Sequence, residues 1–199
     1  MGAVADFRTV GAVTPSSRFL TQAMLRPLPL KRAQVVVELG SGTGAMTQAL
    51  LNRIPFDATL LAFEINSRFS RHLRSNVSDS RLDVINASAE TLCKEIHNRG
   101  YERVDAIVSS LALGFMPDWQ RRAFLSELGS LLGEAGVFTQ FQYFYALQLK
   151  NRQVRRFDLM ELLHKYFRSV QRRVIWRNLP PAFVFVCREP LCGETTHLL

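Results

Sequence analysis

The sequence contains no run of apolar residues that approaches the roughly 20 in succession that a membrane-spanning helix needs. Its first ten residues, MGAVADFRTV, include the acidic Asp6 and no long apolar stretch, so we expect no secretory signal peptide. With 199 residues, of which 47% are hydrophobic, the chain has the length and composition of one globular domain. We therefore predict a single domain over residues 1–199 that, where it meets a membrane, lies on the surface.

Cysteine is scarce, with only Cys93, Cys187 and Cys192 in the whole chain. These residues form no C-x-x-C pair, and neither they nor the four histidines have the spacing of a metal site. A small, odd number of cysteines is typical of proteins of the reducing cytosol, where disulfides are rare. We therefore expect a cytoplasmic protein with no disulfide framework and no bound metal.

Acidic residues are fewer than basic ones: the chain has 17 Asp and Glu and 25 Lys and Arg, which gives a formal net charge of +8. Such a balance favours an anionic partner, either a membrane surface or a nucleic acid, although basic residues also serve solubility alone. Between Tyr145 and Arg177 the sequence has nine basic residues and two acidic ones. Most of the net charge is therefore concentrated in one part of the chain.

The basic segment, defined here as residues 145–172, intersperses these charges with apolar side chains. The pattern predicts a long amphipathic helix from about Leu147 to Val170. A basic amphipathic helix can lie in the interface of an anionic membrane and contact a lipid substrate. The alternative is a helix that packs on the sheet and exposes a solvated basic face. The apolar residues of the segment are Phe157, Leu159, Met160, Leu162, Leu163, Tyr166 and Phe167.

Short apolar runs alternate with helical patterns along most of the chain, which predicts βαβ units and a mostly parallel sheet. Residues 1–30 form an N-terminal helical segment, in which Thr14 caps a helix and Pro15 takes its first position. Further helices are predicted over Ala45–Arg53 and near Trp119–Leu132, and strands over Gln34–Leu39, Thr59–Ile65, Arg81–Asn86, Val104–Ser109, Val137–Tyr143, Arg173–Trp176 and Phe183–Cys187.

A glycine-rich stretch, Gly40-Ser41-Gly42-Thr43-Gly44, directly follows the first strand and precedes a helix. The glycines allow a tight turn and a close approach of the backbone to a ligand, and a helix N-terminus favours an anionic group. Glu64 ends the second strand, 20 residues after Gly44, where its carboxylate can accept both hydroxyls of a ribose. Glu38 stands two residues before the first glycine, where it can reach the amino group of a bound amino acid.

Three interpretations of this stretch are open. Gly40-x-Gly42-x-x-Ala45 matches the dinucleotide fingerprint of nicotinamide and flavin enzymes, and a glycine turn can also be purely structural. Glu38 and the short chain, which has little room for a dehydrogenase substrate domain, favour S-adenosylmethionine (SAM). The pattern E-x-G-x-G-x-G with a later strand-end Glu resembles the class I SAM-dependent methyltransferases.

This resemblance implies an α/β, Rossmann-like fold with a seven-stranded, mostly parallel sheet, an antiparallel closing hairpin and helices on both faces. It also implies that SAM is the cofactor and S-adenosylhomocysteine the product. The loop after strand three then lies near the adenine, and the loop after strand four lies where the sulfonium meets the acceptor. The cofactor-binding residues implied are Glu38, Gly40, Ser41, Gly42, Gly44, Glu64, Ile65, Ser88, Ala89 and Ser109.

From about residue 10 to residue 188, the chain also resembles a narrower family, the bacterial phospholipid N-methyltransferases. The resemblance rests on VGAVTPSS at 10–17, VSSL at 108–111, QFQY at 140–143 and, most distinctively, WRNLPPA at 176–182. It implies SAM-dependent methylation of phosphatidylethanolamine toward phosphatidylcholine, and attachment to the inner face of the cytoplasmic membrane. Ala112 and Gln142 depart from the family's usual Pro and Thr.

Two catalytic candidates are Ser110, after strand four, and Tyr143, at the end of strand five. Tyr143 can hold a methylated cation by cation–π attraction, or it can be an ordinary aromatic at the rim of the core. Arg177 and Asn178 can hold a lipid phosphate, because guanidinium pairs well with phosphate oxygens, or they can only shape the closing hairpin. The substrate-binding candidates are Ser16, Ser17, Gln140, Arg177 and Asn178.

The main alternative is a ribosomal-RNA adenine dimethyltransferase, a family with a similar glycine loop. That family has an Asn-Leu-Pro-aromatic motif after strand four, where this chain reads Ser110-Leu111-Ala112-Leu113. Asn178-Leu179-Pro180-Pro181 is similar, but it lies near the end of the chain and lacks the aromatic residue. We therefore favour a phospholipid and expect no stable nucleic-acid complex; a small-molecule or protein acceptor and a non-enzymatic SAM-binding module stay open.

Overall fold

The computed structural model of the chain describes residues 17–143, 147–150, 153–156 and 158–191. Its strands are β1 (Val35–Leu39), β2 (Thr59–Phe63), β3 (Leu82–Ile85), β4 (Val104–Ser109), β5 (Leu132–Tyr143), β6 (Leu147–Lys150), β7 (Gln153–Arg156), β8 (Phe167–Ile175) and β9 (Ala182–Pro190). Seven of them form one sheet in the order β3-β2-β1-β4-β5-β9-β8, and β6 and β7 form a separate hairpin. Strands β1 to β5 are parallel, and β9 runs antiparallel between β5 and β8. The predicted fold class is confirmed.

Helices cover both faces of the sheet. They are α1 (Arg18–Leu25), α2 (Ala45–Leu51), α3 (Ser67–Asn76), α4 (Leu92–His97), α5 (Asp118–Leu131) and α6 (Leu159–Leu163). Strand β1 is buried along its whole length, so alternate side chains enter opposite cores. Val37 packs in the core under α4, α5 and α6, whereas Val36 packs in the core under α1 and α2.

The N-terminal helix begins three residues later than the sequence pattern predicts. Ser17 is its N-cap, because the Ser17 hydroxyl oxygen accepts a hydrogen bond from the Leu20 N–H at 3.3 Å. Helix α1 is therefore capped by Ser17 and not by Thr14, and the predicted cap Thr14 and first position Pro15 lie outside the described ranges. Serine and threonine are both favourable N-cap residues, so the sequence pattern does not distinguish a helix capped by Thr14 from one capped by Ser17.

The long helix predicted over Leu147–Val170 is also wrong. The structure has the β6–β7 hairpin, the single-turn α6 and then β8 in its place. Leu159, Leu163 and Phe167 are fully buried in the sheet core, so these apolar side chains are not available to a membrane. The pairing of β8 with β9 through eight residue pairs outweighs the local helical pattern, because strand preference depends on long-range partners. A substrate or membrane role for the basic segment stays a prediction.

The carboxyl ends of the five parallel strands meet at one edge of the sheet, which we call the carboxyl edge. Strand β8 ends and β9 begins at the same edge, because Ile175 pairs with Ala182 and Tyr143 also pairs with Ala182. The loop of residues 176–181 therefore lies at the same edge of the sheet as the loops that follow β1, β2, β3 and β4. In open α/β sheets this edge is where ligands bind.

Candidate active site

The glycine loop Gly40–Gly44 joins β1 to α2 at the carboxyl edge. The backbone N–H groups of Gly40 and Ser41 both donate to the carbonyl of Phe63, at 2.9 and 3.1 Å, which ties the loop to β2. Gly42 has a φ of +53°, and a Cβ built there would meet no described atom within 4 Å. The loop is thus held at its base, while at Gly42 it borders open space that a ligand can fill.

Glu38 lies beneath this loop and is fully buried. Its Oε2 accepts a 2.6 Å hydrogen bond from the hydroxyl of Thr47 on α2, while Oε1 has no hydrogen-bond partner among the described residues. Burial raises the pKa of Glu38 to about 7, the Thr47 hydrogen bond opposes this rise, and the nearby charge of Glu64 adds to it. A buried carboxylate oxygen without a donor is a favourable partner for a cationic amino group.

Glu64 follows β2 and is hydrogen-bonded to the glycine loop. Its Oε2 accepts from the Gly42 N–H and its Oε1 accepts from the Asn66 N–H, both at 2.8 Å. A carboxylate has about four lone-pair sites, so two remain for ligand hydroxyls. The amide of Asn86 donates to the carbonyls of Glu64 and Ile65, at 2.7 and 3.2 Å, which fixes the backbone around this carboxylate.

The loop after β3 contains Ser88 and Ala89, the predicted adenine neighbours. The Ser88 hydroxyl oxygen accepts from the Glu90 N–H at 3.3 Å and caps the 3₁₀ turn Ala89–Thr91. Both residues are half-buried at the carboxyl edge. The fold therefore places them one strand away from Glu64, as the prediction requires, and their contact with a cofactor stays a prediction.

The loop after β4 packs directly against the glycine loop. The Ser110 N–H donates to the carbonyl of Leu39 at 2.8 Å, and a Cβ on Gly40 would lie 3.6 Å from the Ser110 Cβ. The buried Ser109 hydroxyl oxygen accepts from the Leu111 N–H at 3.2 Å. The predicted catalytic Ser110 thus stands next to the predicted cofactor loop.

Gln140, on β5, holds the same loop from its other side and is completely buried. Its Nε2 donates to the carbonyls of Leu111 and Phe141, at 2.8 and 2.6 Å. Because these two carbonyls need donors, the amide cannot be flipped, and its Oε1 is left without a partner among the described residues. The Oε1 of Gln142, two residues along β5, is likewise buried and unpartnered within the described ranges.

Asn178 joins three predicted site elements that are distant in the sequence. Its Oδ1 accepts from the Ser17 N–H at 3.3 Å, and its Nδ2 donates to the Pro180 carbonyl at 2.7 Å. Burial raises the pKa of the Tyr143 hydroxyl, and a hydrogen bond with Asn178 opposes the rise. The buried Asn178 therefore ties the start of α1, the end of β5 and the 176–181 loop together. Ser16, another predicted substrate residue, lies outside the described residues.

Arg177 lies on the surface of this junction. Its guanidinium carbon is 5.0 Å from the ring centroid of Phe19, and that of Arg18 is 4.9 Å from the same ring. Cation–π contacts of this kind hold arginine side chains in place without neutralising their charge. Two positive charges therefore stand at the carboxyl edge beside Asn178.

Two residues of this site, Thr47 and Asn86, are not predicted from the sequence. Thr47 is marked in the sequence only by its position early in the helix after the glycine loop, and Asn86 only as the polar last residue of the predicted third strand. Within the described part of the chain, no three His, Cys, Asp or Glu side chains cluster as metal ligands. Among the same residues, no helix is both long enough and apolar enough to span a bilayer.

Comparison with known proteins gives one family model and one long relative. Residues 36–136 match the model of the methyltransferase domain. An ornithine lipid N-methyltransferase of Singulisphaera acidiphila is 30% identical over 187 residues, which cover 90% of this chain and 88% of that protein. A match over 90% of the chain extends well beyond the glycine loop and includes the region of β8.

Solved structures share the fold at lower identity. A Burkholderia thailandensis 1,6-didemethyltoxoflavin-N1-methyltransferase with bound 1,6-didemethyltoxoflavin and S-adenosylhomocysteine has a TM-score of 0.63 and 19% identity, covering 85% of this chain and 76% of its own. A putative rRNA methylase of Clostridium thermocellum has a TM-score of 0.60 and 22% identity, covering 82% and 90%. At these identities the likeness concerns the fold alone.

Proposed function

The chain belongs to the class I SAM-dependent methyltransferases, and from this premise we propose that it methylates the primary amine of a membrane lipid headgroup. The relative that spans 90% of the chain is named for an N-methylation of ornithine lipid. We propose phosphatidylethanolamine as the acceptor, with ornithine lipid as the second candidate. Both carry a primary amine near an anionic group, a phosphate in one and a carboxylate in the other.

The residues at the carboxyl edge fit SAM. The single observation that carries this fit is the buried, unpartnered Oε1 of Glu38, which lacks a donor among the described residues and can accept one from the amino group of the methionyl moiety. The two remaining lone-pair sites of Glu64 suit the ribose hydroxyls. The space beside Gly42 leaves room between these two carboxylates. When bound, SAM supplies an electrophilic methyl group for an incoming nitrogen.

An amine acceptor must present a neutral lone pair, so the chain has to hold the nitrogen by its N–H bonds. The Oε1 atoms of Gln140 and Gln142 are acceptors without donors in the described ranges, beside the loop of Ser110. We propose that they accept from the amine N–H and so aim its lone pair. Tyr143, whose pKa is raised by burial, stays protonated at neutral pH and therefore acts as a positioning group and not as a base.

Asn178 supports a lipid over an adenine acceptor. In the Asn-Leu-Pro-aromatic motif of the adenine enzymes, the amide holds the adenine amino group, and the aromatic ring stacks on the base. Here both ends of the Asn178 amide are bonded within the protein, to Ser17 and Pro180. The positive charges of Arg177 and Arg18 stand beside it and suit the anionic group of a lipid headgroup.

The test is transfer of label from SAM to defined acceptors. Vesicles of phosphatidylethanolamine, vesicles of ornithine lipid, and ribosomal RNA are each incubated with the protein and labelled SAM, and the labelled species is identified by mass spectrometry. We expect label in the lipid arms, abolished by Glu64→Ala and retained by Glu102→Ala, the same change at an exposed carboxylate outside the site. Label confined to RNA, or absent from all three arms with SAM bound, would refute the lipid acceptor.

A further inference from the structure

The exposed large apolar side chains of the described residues are unevenly distributed. Of the eight, five lie at the carboxyl edge, whereas Phe56 and Leu191 lie at the opposite edge and Val174 lies near the end of β8. We call these five residues the apolar rim. They are Ile65 (68% exposed), Phe115 (65%), Trp119 (72%), Trp176 (70%) and Leu179 (85%).

The rim surrounds the candidate active site. Ile65 directly follows the cofactor carboxylate Glu64, and Phe115 and Trp119 lie on the turn after β4 and the first turn of α5. Trp176 and Leu179 lie in the 176–181 loop, on the other side of β5. Clusters of exposed apolar side chains around a site mark an interaction surface, whereas single ones are ordinary.

The charges around the rim are complementary to an anionic surface. The exposed arginines at this edge are Arg18, Arg68 and Arg177, and the exposed Arg172 and Arg173 lie near the end of β8. The acidic residues beside them are engaged, because Asp118 pairs with Arg121 and Arg122 and Glu90 is hydrogen-bonded to Gln120. Tryptophan with neighbouring arginine is the composition that lies well in the headgroup region of a bilayer, where one end of the side chain is apolar and the other wet.

We propose that the carboxyl edge docks on an anionic lipid bilayer, with the apolar rim among the headgroups, so that the methyl-transfer site opens directly onto the membrane. The inference rests on the proposed function and extends it. With this edge on the bilayer, the amine of a lipid in the headgroup layer reaches Gln140 without leaving the bilayer. It assigns membrane contact to the rim and not to Leu159, Leu163 and Phe167 of the basic segment, which are buried in the core. Strand β6 lies against the turn Leu113–Phe115, so the backbone of this part of the basic segment comes to the same edge.

Both tryptophans of the chain belong to the rim, so intrinsic fluorescence reports docking directly. We expect the emission to shift to the blue on titration with vesicles of phosphatidylglycerol and phosphatidylcholine, and to be quenched by brominated acyl chains. Trp119→Phe and Trp176→Phe leave one reporter on each side of the site, and both should respond. Unshifted emission under conditions where the protein floats with vesicles would overturn the proposed orientation.

A double variant, Trp176→Ser with Leu179→Ser, tests the energetic role of the rim. We expect at least a tenfold weaker vesicle affinity in flotation, with an unchanged thermal midpoint. The matched control is Phe56→Ser, because Phe56 is 91% exposed at the opposite edge, and this variant should bind like the wild type. Equal binding by the double variant and the control would overturn the proposal.

Two readouts separate this proposal from the proposed function. If the wild type binds vesicles through the rim but transfers no methyl group to any lipid, the docking proposal holds and the proposed lipid acceptor is refuted. The acceptor stands and docking fails if the double variant methylates lipid in vesicles as fast as the wild type. If both proposals hold, the double variant loses activity on vesicles and keeps it on short-chain lipid dissolved below its micellar concentration.

Discussion

The hydroxyl of Thr47 donates a 2.6 Å hydrogen bond to Oε2 of Glu38, while Oε1 of the same carboxylate is buried without a donor among the described residues. This pair links β1 to α2 directly beneath the glycine loop. One carboxylate oxygen is thus held in place by the protein, and the other is left to a ligand. If the amino group of SAM binds at Oε1, as proposed, the ionisation of Glu38 depends on whether SAM is bound, and this dependence can be measured.

SAM binding should release a proton near neutral pH. The pKa of Glu38 is raised to about 7, chiefly by burial, and a cationic amino group beside Oε1 favours the charged form and lowers that pKa. SAM affinity should therefore rise with pH up to about pH 7 and level off above it. Calorimetry in buffers of different ionisation enthalpy measures the number of protons released when SAM binds. We expect Glu38→Gln to bind SAM more weakly and to release no proton. Wild-type binding without proton release would show that Glu38 is not the partner of the amino group.

The unliganded protein should lose stability as the pH rises. The folded pKa of Glu38, about 7, lies above its ordinary value of 4.5, so the folded state holds the proton more tightly than the unfolded state. The stabilisation is complete below about pH 4.5 and is lost as the pH rises through 7, by at most roughly 3 kcal/mol at 1.36 kcal/mol per pH unit. Chemical denaturation of the wild type and Glu38→Gln between pH 4.5 and 8 measures how the free energy of unfolding changes with pH in each. The variant should lack the loss of stability that the deprotonation of Glu38 causes in the wild type.

Thr47→Val should weaken both the fold and the cofactor site. The change keeps the shape of the side chain but removes the donor to Oε2 of Glu38, which costs about 1–3 kcal/mol for a buried polar group. Because that hydrogen bond lowers the pKa of Glu38, the midpoint of the pH-dependent SAM affinity should move upward. Thr47→Ser keeps the hydroxyl and should resemble the wild type. An unmoved midpoint in Thr47→Val would contradict the assigned contact.

Gly42→Ala should lower SAM affinity by at least tenfold at a modest loss of stability. The residue has a φ of +53° and open space around its Cβ position, so the backbone strain is on the order of 1–2 kcal/mol and the added methyl enters the ligand space. Gly100 offers a matched control, because its φ of +81° and equally open surroundings occur away from the site. Gly100→Ala should lose similar stability and bind SAM normally; equal SAM binding by both variants would remove Gly42 from the site.

Gln140→Met should reduce turnover of the amine acceptor while the dissociation constant of SAM stays near the wild-type value. The change removes the unpartnered Oε1 together with the bonds to Leu111 and Phe141, so a stability loss of about 1–3 kcal/mol accompanies it. Thr139→Val is the control, since the neighbouring buried hydroxyl has no partner among the described residues either and lies on the opposite face of β5. Steady-state kinetics should show the loss of kcat/KM for Gln140→Met only.

Sequence patterns were sufficient for the parts of this protein that depend on neighbouring residues. The apolar runs of β1 and β4 occur within one residue of their predicted bounds, because strands buried on both faces carry a continuous apolar signal. Glu38 and Glu64 were predicted from their spacing to the glycines, and the structure places both against that loop. Local periodicity failed at β8, whose predicted start at Arg173 is six residues too late.

The remaining features depend on partners that are far apart along the chain. Ser17 and Asn178 are 161 residues apart and yet share a hydrogen bond, and no spacing rule connects them. The pairing of β8 with β9 overrides a helical pattern because eight residue pairs with β9 and the burial of Phe167 and Val170 stabilise more than local propensity does. The apolar rim follows from the same cause: its members belong to three separate segments, and only the sheet, which gathers the carboxyl ends of its parallel strands at one edge, brings them around one site.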